Sequence, residues 1–180
     1  MMNYDLPQAT AVLRRTPSVL DALLRDLPDE WTRQNEGGAT WSAYDIVGHL
    51  VHGERTEWLP RARMILEHGE ARTFARFDRL AQQRESAGKS LPSLLDEFAA
   101  VRAANLEAIR ALNLQPADLE RRGTHPLFGA VTLSQLLATW AAHDLTHLHQ
   151  ISRVMAHQYR HAVGPWQVYL GVLKCAGHSE

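Results

Sequence analysis

Apolar residues recur at intervals of three and four along most of the chain, a spacing that places them on one side of an α-helix. The strict alternation that is typical of a half-buried strand is rare. The pattern therefore predicts an all-α protein with four long amphipathic helices and a short terminal one. The predicted helices are Thr16 to Leu27, preceded by a helical piece at Val12 and Leu13; Ala43 to Glu67; Leu91 to Leu112; Val131 to Tyr159; and Trp166 to Leu173.

Several residues mark where these helices begin and bend. Thr16 followed by Pro17 predicts an N-cap with proline at the first helical position. Ser42, with Asp45 three residues later, predicts a variant of the capping box. Pro60 lies inside the second predicted helix and is expected to kink or restart it. The remaining segments, 28–40, 71–90 and 113–130, are expected to be irregular. The four long helices are expected to form a four-helix bundle, in which binding sites are commonly built from side chains that face the core.

Length and charge limit the classes of partner. A chain of 180 residues fits one domain over 1–180, and 19 Lys and Arg against 20 Asp and Glu predict no nucleic-acid partner. No run reaches the roughly 18 uninterrupted apolar residues that span a bilayer, and no secretory signal opens the chain. A single cysteine, Cys175, fits a reducing compartment. We therefore expect a cytoplasmic protein with no membrane partner.

Histidine is the unusual component, with ten residues, and imidazole is the commonest metal ligand in proteins. His143 and His147 lie one helical turn apart, at positions where the fourth helix calls for core side chains. His49 is surrounded by apolar residues in the second helix. Three converging neutral imidazoles predict a divalent cation with one open coordination position. The alternative is that each imidazole hydrogen-bonds to a core carbonyl or carboxylate.

Four residues of the second helix are candidates for acid–base chemistry or ligand support. His52 is interpreted as a fourth ligand, a proton shuttle or a solvated surface residue. Glu54 and Glu57 are candidate acids or bases, although most carboxylates on an amphipathic helix are solvated. Asp45 is either an acceptor for the N–H of a ligating imidazole or only a helix cap, and capping is the favoured interpretation.

Residues of a cofactor or substrate pocket are also suggested by the pattern. Gln150 is predicted either to orient a bound water or to make a polar contact in the core. Trp140 is the main candidate for a pocket wall, together with Trp41, Trp58 and Phe128, although aromatic side chains at these spacings are also typical of packing. His125 is expected to cover the mouth of the site. The histidines expected outside it are His68, His149, His157, His161 and His178.

The order of these motifs resembles the DinB-like (DinB/YfiT) superfamily. The similarity lies in Trp41-Ser42 followed by Ile46-Val47-Gly48-His49-Leu50, then Phe128-Gly129-x-Val131-Thr132-Leu133, then Leu136-Leu137-Ala138-x-Trp140-x-x-His143-Asp144-Leu145-x-His147-x-x-Gln150-Ile151. It extends from about residue 16 to residue 159. The resemblance implies an up-down-down-up four-helix bundle, often dimeric, that binds nickel or zinc through three histidines, which map to His49, His143 and His147.

Members of that superfamily include thiol-dependent S-transferases that use bacillithiol or mycothiol, and a mycothiol-dependent maleylpyruvate isomerase. The resemblance therefore favours a metal-dependent enzyme in which a low-molecular-weight thiol binds the metal as a thiolate and attacks a small electrophilic substrate. Because Cys175 is poorly placed to act as a nucleophile, the thiol is expected to come from a cofactor. The alternatives are a metal-dependent hydrolase at the same site and a non-catalytic, metal-stabilised module related to stress or ligand binding.

Overall fold

The computed structural model describes residues 4–175, and most of them are helical, as the pattern predicts. The α-helices of these residues are α1 (Leu6–Leu13), α2 (Thr16–Leu24), α3 (Asp29–Thr32), α4 (Ala43–Thr56), α5 (Trp58–His68), α6 (Ala81–Ser86), α7 (Leu91–Ala111), α8 (Pro116–Leu119) and α9 (Leu133–His157). An antiparallel hairpin is formed by β1 (Arg122–His125) and β2 (Gly129–Thr132). Short 3-10 helices cover Gly69–Ala71, Gly164–Tyr169 and Gly171–Leu173.

The long helices form a four-helix bundle in the up-down-down-up order. Its first member is α1 with α2, its second is α4 with α5, and α7 and α9 are the third and fourth. α7 packs along α2 and α4, whereas α9 packs along α1, α4 and α5. The apolar stripes of these helices meet in two clusters, one around α2, α4 and α7 and one around α5 and α9. Because α4 and α9 face each other, histidines on their inner sides can approach one another.

The second predicted helix is interrupted at Glu57, three residues before the proline that was expected to break it. α4 ends at Thr56, α5 begins at Trp58, and Glu57 has φ −102° and ψ −69°. Pro60 is the third residue of α5, where a missing N–H removes no intrahelical hydrogen bond. The proline is therefore tolerated in the first turn of the restarted helix.

The predicted helix starts are correct at α4 and α7 and displaced at α2 and α9. Ser42 Oγ accepts from the Asp45 amide at 3.2 Å, and Asp45 Oδ2 accepts from the Ser42 amide at 2.9 Å, so the capping box is present. Thr16 was wrongly predicted to be a cap, because it is already the first residue of α2. The fourth long helix was predicted to begin at Val131, but α9 begins at Leu133 with Thr132 as its N-cap, because Val131 and Thr132 are paired in β2.

The segments that were predicted to be irregular contain short ordered elements. α3 lies within 28–40, α6 lies within 71–90, and α8, β1 and the first two residues of β2 lie within 113–130. Elements of four to six residues are too short to show a hydrophobic period, which explains why the pattern missed them. The hairpin lies close against α5: a Cβ on Gly123 would come within 2.7 Å of Cγ1 of Ile65.

The end of the described chain also differs from the prediction. The expected terminal helix consists of two 3-10 helices, and the chain turns at Leu170 between them, where ψ is 89°. No helix of residues 4–175 has the length and apolar character needed to cross a membrane.

Candidate metal centre

Three imidazoles converge between α4 and α9. Nε2 of His143 lies 3.1 Å from Nε2 of His49 and 3.0 Å from Nε2 of His147. One ring nitrogen from each residue falls within a group whose members are all within 4.8 Å of one another. His49 and His147 are buried, and His143 is partly buried. The structure therefore brings together the three residues predicted as ligands.

Two of the three imidazoles are oriented by glutamine side chains. Nδ1 of His49 donates to Oε1 of Gln82 at 3.0 Å, and Nδ1 of His147 donates to Oε1 of Gln150 at 2.8 Å. An amide oxygen only accepts, so each Nδ1 carries the proton and each Nε2 presents a lone pair to the centre. Nδ1 of His143 is buried and has no hydrogen-bond partner among residues 4–175.

Burial keeps these imidazoles neutral near pH 7. Together with a smaller contribution from the neighbouring His147, it lowers the pKa of His49 to about 3 and that of His143 to about 2. The pKa of His147 is also lowered, chiefly by burial. Neutral imidazole is the form that ligates a metal.

The donor set fits a divalent cation. Lone pairs that face one another at 3.0–3.1 Å repel unless a proton or a cation lies between them. Tetrahedral ligands with bonds of about 2.0–2.1 Å lie roughly 3.3 Å apart, which is close to the spacing of these nitrogens. Outer hydrogen bonds from Nδ1 to an oxygen, as at Gln82 and Gln150, are the usual support of ligating histidines.

Tryptophan rings enclose the imidazoles. The Trp41 ring centroid lies 4.8 Å from that of His49 and 6.5 Å from that of His147. Trp58 contacts His143 edge to face, with the ring centroids 5.0 Å apart. These rings fix the directions of the imidazoles and shield the centre from water on those sides.

A cavity of about 580 Å³ adjoins the centre, with His49 and His143 in its wall. This volume is in the range of small-molecule sites, roughly 300–1,000 Å³. The other lining residues are Gly53, Glu57, Trp58, Arg61, Arg76, Phe77, Arg79, His125, Pro126, Leu127 and Phe128. Trp58, Phe128 and His125 thus border the cavity, as predicted for a pocket wall and for the mouth.

Glu57 is the carboxylate of the cavity wall. Its Oε2 lies 2.5 Å from Nη1 of Arg61, and its Oε1 has no hydrogen-bond partner among the described residues. Burial raises the pKa of Glu57, although the charge of Arg61 opposes this shift. A carboxylate with a raised pKa beside a cavity is suited to exchange a proton with a bound molecule.

Glu54, the other candidate acid or base, is fully buried away from the cavity wall. Its Oε1 accepts from Arg102 at 2.8 Å and from Nε1 of Trp140 at 2.7 Å, and its Oε2 accepts from Asn105 at 2.9 Å. Arg102 also donates to both carboxylate oxygens of Asp144, at 2.6 and 2.9 Å. The alternative interpretation of Glu54 as a solvated carboxylate is therefore wrong, and both oxygens of this candidate acid or base are occupied by these donors.

Trp140 belongs to this buried network and not to the wall of the cavity beside the imidazoles. It is 1% exposed and gives its only N–H to Glu54. The predicted place of Trp140 in the wall is taken by Trp58, whose ring stacks on it at 6.0 Å. Gln150 is a core contact, as one of its two interpretations predicted, and that contact orients His147.

His52 is buried, so the interpretation as a solvated residue is wrong. Its Nδ1 lies 3.1 Å from both carboxylate oxygens of Glu85 on α6, and its ring contacts Phe77. His52 is absent from the group of converging ligand atoms. Asp45 acts as the helix cap, as favoured, and Gln82 takes the role of acceptor for His49.

The remaining histidines lie away from the centre, among the residues that the structure describes. His68 and His161 are exposed, whereas His149 and His157 are half-buried, so His149 is less external than predicted. His178 lies outside the described residues. Cys175 is exposed and is not part of the cavity wall.

Sequence reasoning missed several polar residues around the centre, for two different reasons. Arg102 and Asn105 continue the stripe of Phe98 and Ile109 in steps of three and four, so a core position was visible for both. Gln82 gave no such signal, because α6 has only six residues. No hydrophobic period pointed to Arg76 and Arg79 of the cavity wall either, since both lie in an irregular segment.

Gln82 provides a test of the centre that leaves its three imidazoles in place. Gln82→Ala removes the oxygen that fixes the proton on Nδ1 of His49, and we expect metal affinity to fall about 10- to 100-fold. The matched control is Gln83→Ala, because Gln83 is the exposed neighbour on the same helix. Competition with a chromogenic chelator gives both affinities, and equal values for the two variants would contradict the role of Gln82.

The comparisons with known proteins agree with this architecture. A family model described as the DinB superfamily matches residues 13–151. The structure of YfiT from Bacillus subtilis, described as a probable metal-dependent hydrolase with an unusual four-helix bundle topology, is similar with a TM-score of 0.73. The match covers 90% of each chain at 17% identity, which shows a common fold. No curated protein sequence matches the chain.

Proposed function

The chain belongs to the DinB superfamily, and from that membership and the three-histidine centre we propose that it is a metal-dependent enzyme acting on small molecules. The observation that carries the proposal is the convergence of three Nε2 atoms at the wall of a cavity of about 580 Å³. The cavity gives a reacting molecule direct access to two of the three imidazoles. A centre that only stabilised the fold would need no such access.

We propose zinc or nickel as the metal, since both accept imidazole ligands. A divalent cation with three neutral ligands supplies an open position and lowers the pKa of a bound water or thiol. The protein provides three imidazoles as ligands, and the adjoining cavity has apolar side chains and one carboxylate, Glu57, in its wall.

Hydrolysis is the reaction that the cavity wall supports best, and YfiT, which shares the fold, is described as a probable metal-dependent hydrolase. Activation of water needs a group that accepts a proton, and Glu57 is the carboxylate available in the wall. Arg61 holds Oε2 of Glu57 in place, which leaves Oε1 to take a proton from the water whose oxygen attacks the carbonyl carbon. The same proton would pass to the leaving group when its bond to that carbon breaks. Trp58 and Phe77 reduce access of bulk water at the same wall.

Transfer of a thiol is a second candidate, and it is the activity that the family resemblance favoured. The size of the cavity supports it, because 580 Å³ has room for a cofactor beside a small substrate. No cysteine lies in the cavity wall, so the thiol comes from a separate molecule. Arg76 and Arg79 of the wall suit a cofactor that carries negative charge.

Reconstitution separates the two candidates. Metal-free protein is loaded with zinc or nickel, the metal content is measured by elemental analysis, and the protein is assayed with small esters, amides and lactones. The same samples are then given an electrophilic aromatic halide with and without a low-molecular-weight thiol. Turnover of an ester or amide without thiol supports hydrolysis, turnover that requires the thiol supports transfer, and activity independent of metal contradicts the proposal.

Glu57→Gln tests the proton-accepting group. If the protein is a hydrolase, we expect kcat to fall about 10²- to 10⁴-fold, because the amide cannot take the proton. Metal content should stay unchanged, since Glu57 is not among the converging ligand atoms. Glu67→Gln, on an exposed position of α5, is the control and should keep full activity. An unchanged kcat in Glu57→Gln would remove Glu57 from the mechanism.

The proposed partner is a small molecule. Pairing of two copies, a cytoplasmic location and the lack of a nucleic-acid partner remain predictions from the sequence.

A further inference from the structure

The cavity beside the metal centre has a positively charged wall. Three arginines, Arg61, Arg76 and Arg79, lie in it, and Glu57 is the carboxylate among its lining residues. The chain as a whole has a formal net charge of −1, so this local excess does not follow from composition. Charge of one sign in a cleft attracts molecules of the opposite sign.

Arg61 and the other two arginines have different surroundings. Arg61 is buried, pairs with Glu57 and donates to the carbonyl oxygen of Ala75 at 3.1 Å. Its charge is therefore compensated within the wall. Its role is to hold Glu57 and the segment that follows α5.

Arg76 and Arg79 have no hydrogen bond or ion pair with any residue of 4–175. The carboxylate between them in sequence, Asp78, is engaged elsewhere: its Oδ2 accepts from Arg84 at 2.6 Å, and its Oδ1 accepts from the backbone of Leu80 and Ala81. The two guanidinium groups thus retain their donors for a molecule in the cavity.

The positive charge lies in the same cavity as the imidazoles. Arg79, His49 and His143 are all among its lining residues. A molecule in this cavity is therefore within reach of both the guanidinium group and the three-histidine centre. A molecule that reaches the imidazoles also experiences the field of that guanidinium.

Apolar side chains also line the wall. Trp58, Phe77, Leu127 and Phe128 line it, and Leu127 and Phe128 are largely exposed at the tip of the hairpin, with 78% and 72% of their surfaces accessible. Apolar side chains at a cavity mouth bind apolar surface of a ligand. The wall therefore combines an apolar surface with two donors of positive charge.

From this combination we infer that the cavity binds small amphiphilic organic anions, whose carboxylate or phosphate pairs with Arg76 and Arg79 while the apolar part lies along Trp58 and Phe128. Guanidinium groups recognise both kinds of anion through paired N–H donors. The inference rests on the proposed function for the identity of the cavity as the reaction site. It adds the class of molecule: the anionic group belongs either to the substrate or to a thiol cofactor.

Calorimetric binding of 4-phenylbutyrate, compared with its neutral amide, tests this inference on metal-free protein. We expect the carboxylate to bind at least about tenfold more tightly, as charge-assisted hydrogen bonds allow. In Arg76→Gln/Arg79→Gln the two probes should bind with nearly equal affinity. The control Arg63→Gln/Arg122→Gln removes the same charge from exposed positions outside the cavity and should keep the preference.

A second pair of probes identifies the source of the anion. N-acetylcysteine is compared with its methyl ester on zinc-loaded protein, and 4-phenylbutyrate is compared with its amide on the same samples. If the cavity double variant, Arg76→Gln/Arg79→Gln, loses the preference for the thiol pair alone, the arginines bind a cofactor. If it loses the preference for the phenylbutyrate pair alone, they bind the substrate. Either result supports the inference.

Several results would overturn it. An equal affinity of wild type for each acid and its neutral partner removes the anion preference. A preference that persists for both probe pairs in the cavity double variant places the anion elsewhere, for example on the metal. If the control variant also loses the preference, the preference comes from the overall electrostatic field of the protein and not from Arg76 and Arg79. Failure of wild type to hold metal would refute the proposed function, whereas the measurement on metal-free protein still decides the anion preference.

Discussion

Replacing His147 with alanine is expected to abolish stoichiometric metal binding. The wild-type protein, stripped with a chelator and reloaded, should hold about one zinc or nickel ion per chain, and His147→Ala close to none. The substitution leaves two imidazoles, and removal of a direct ligand should cost more than the roughly 10- to 100-fold that is typical for loss of an outer partner. Elemental analysis after desalting, with chelator competition for the residual affinity, measures the effect.

The substitution also removes contacts of a buried side chain, and their cost must be separated from the loss of metal. Oε1 of Gln150 loses the Nδ1 donor of His147, which costs roughly 1–3 kcal/mol. The thermal shift on adding metal separates the two effects, since a ligand at 100 times its Kd stabilises the native state by about 2.7 kcal/mol. Wild type and the control His161→Ala, which alters an exposed histidine, should show that shift, and His147→Ala should not. Full metal content in His147→Ala would refute the ligand assignment.

The three histidines could be found from the sequence because each occupies a position that its helix devotes to the core. His143 and His147 continue the stripe of Trp140 and Ile151, and a long helix repeats its period often enough to be read. The same period revealed the bundle. What it could not reveal is which polar groups inside the stripe pair with one another, since that depends on how helices face across the core.

Glu54 illustrates this limit. Its position on α4 suggested a solvated carboxylate, yet Arg102 from α7 and Trp140 from α9 meet it in the interior. These partners are 48 and 86 residues away in the sequence. Gln82 shows a second limit, because its helix is shorter than two turns and the hydrophobic period does not appear within it. The centre was therefore predictable through its ligands, whereas its supports required the tertiary structure.

Arg102 joins all four members of the bundle at one point. It extends from α7 and pairs with Glu54 on α4 and Asp144 on α9. Its Nη1 also donates to the carbonyl oxygen of Leu13 on α1 at 2.7 Å. Arg102, Glu54 and Asp144 are each 1% exposed, so one buried guanidinium compensates two buried carboxylates. Removal of the guanidinium leaves both carboxylates without a counter-charge in a medium of low polarity.

Arg102→Met is accordingly expected to lower the free energy of unfolding by about 3–5 kcal/mol, measured by urea denaturation. Arg110→Met, on the same helix, breaks only an exposed pair with Glu107 and should cost at most about 1 kcal/mol. Because the penalty comes from uncompensated charge, the triple variant Glu54→Gln/Arg102→Met/Asp144→Asn should recover most of the loss. If the triple variant is no more stable than Arg102→Met, the lost hydrogen bonds of the guanidinium, rather than the uncompensated charge of its partners, are the cause of the destabilisation.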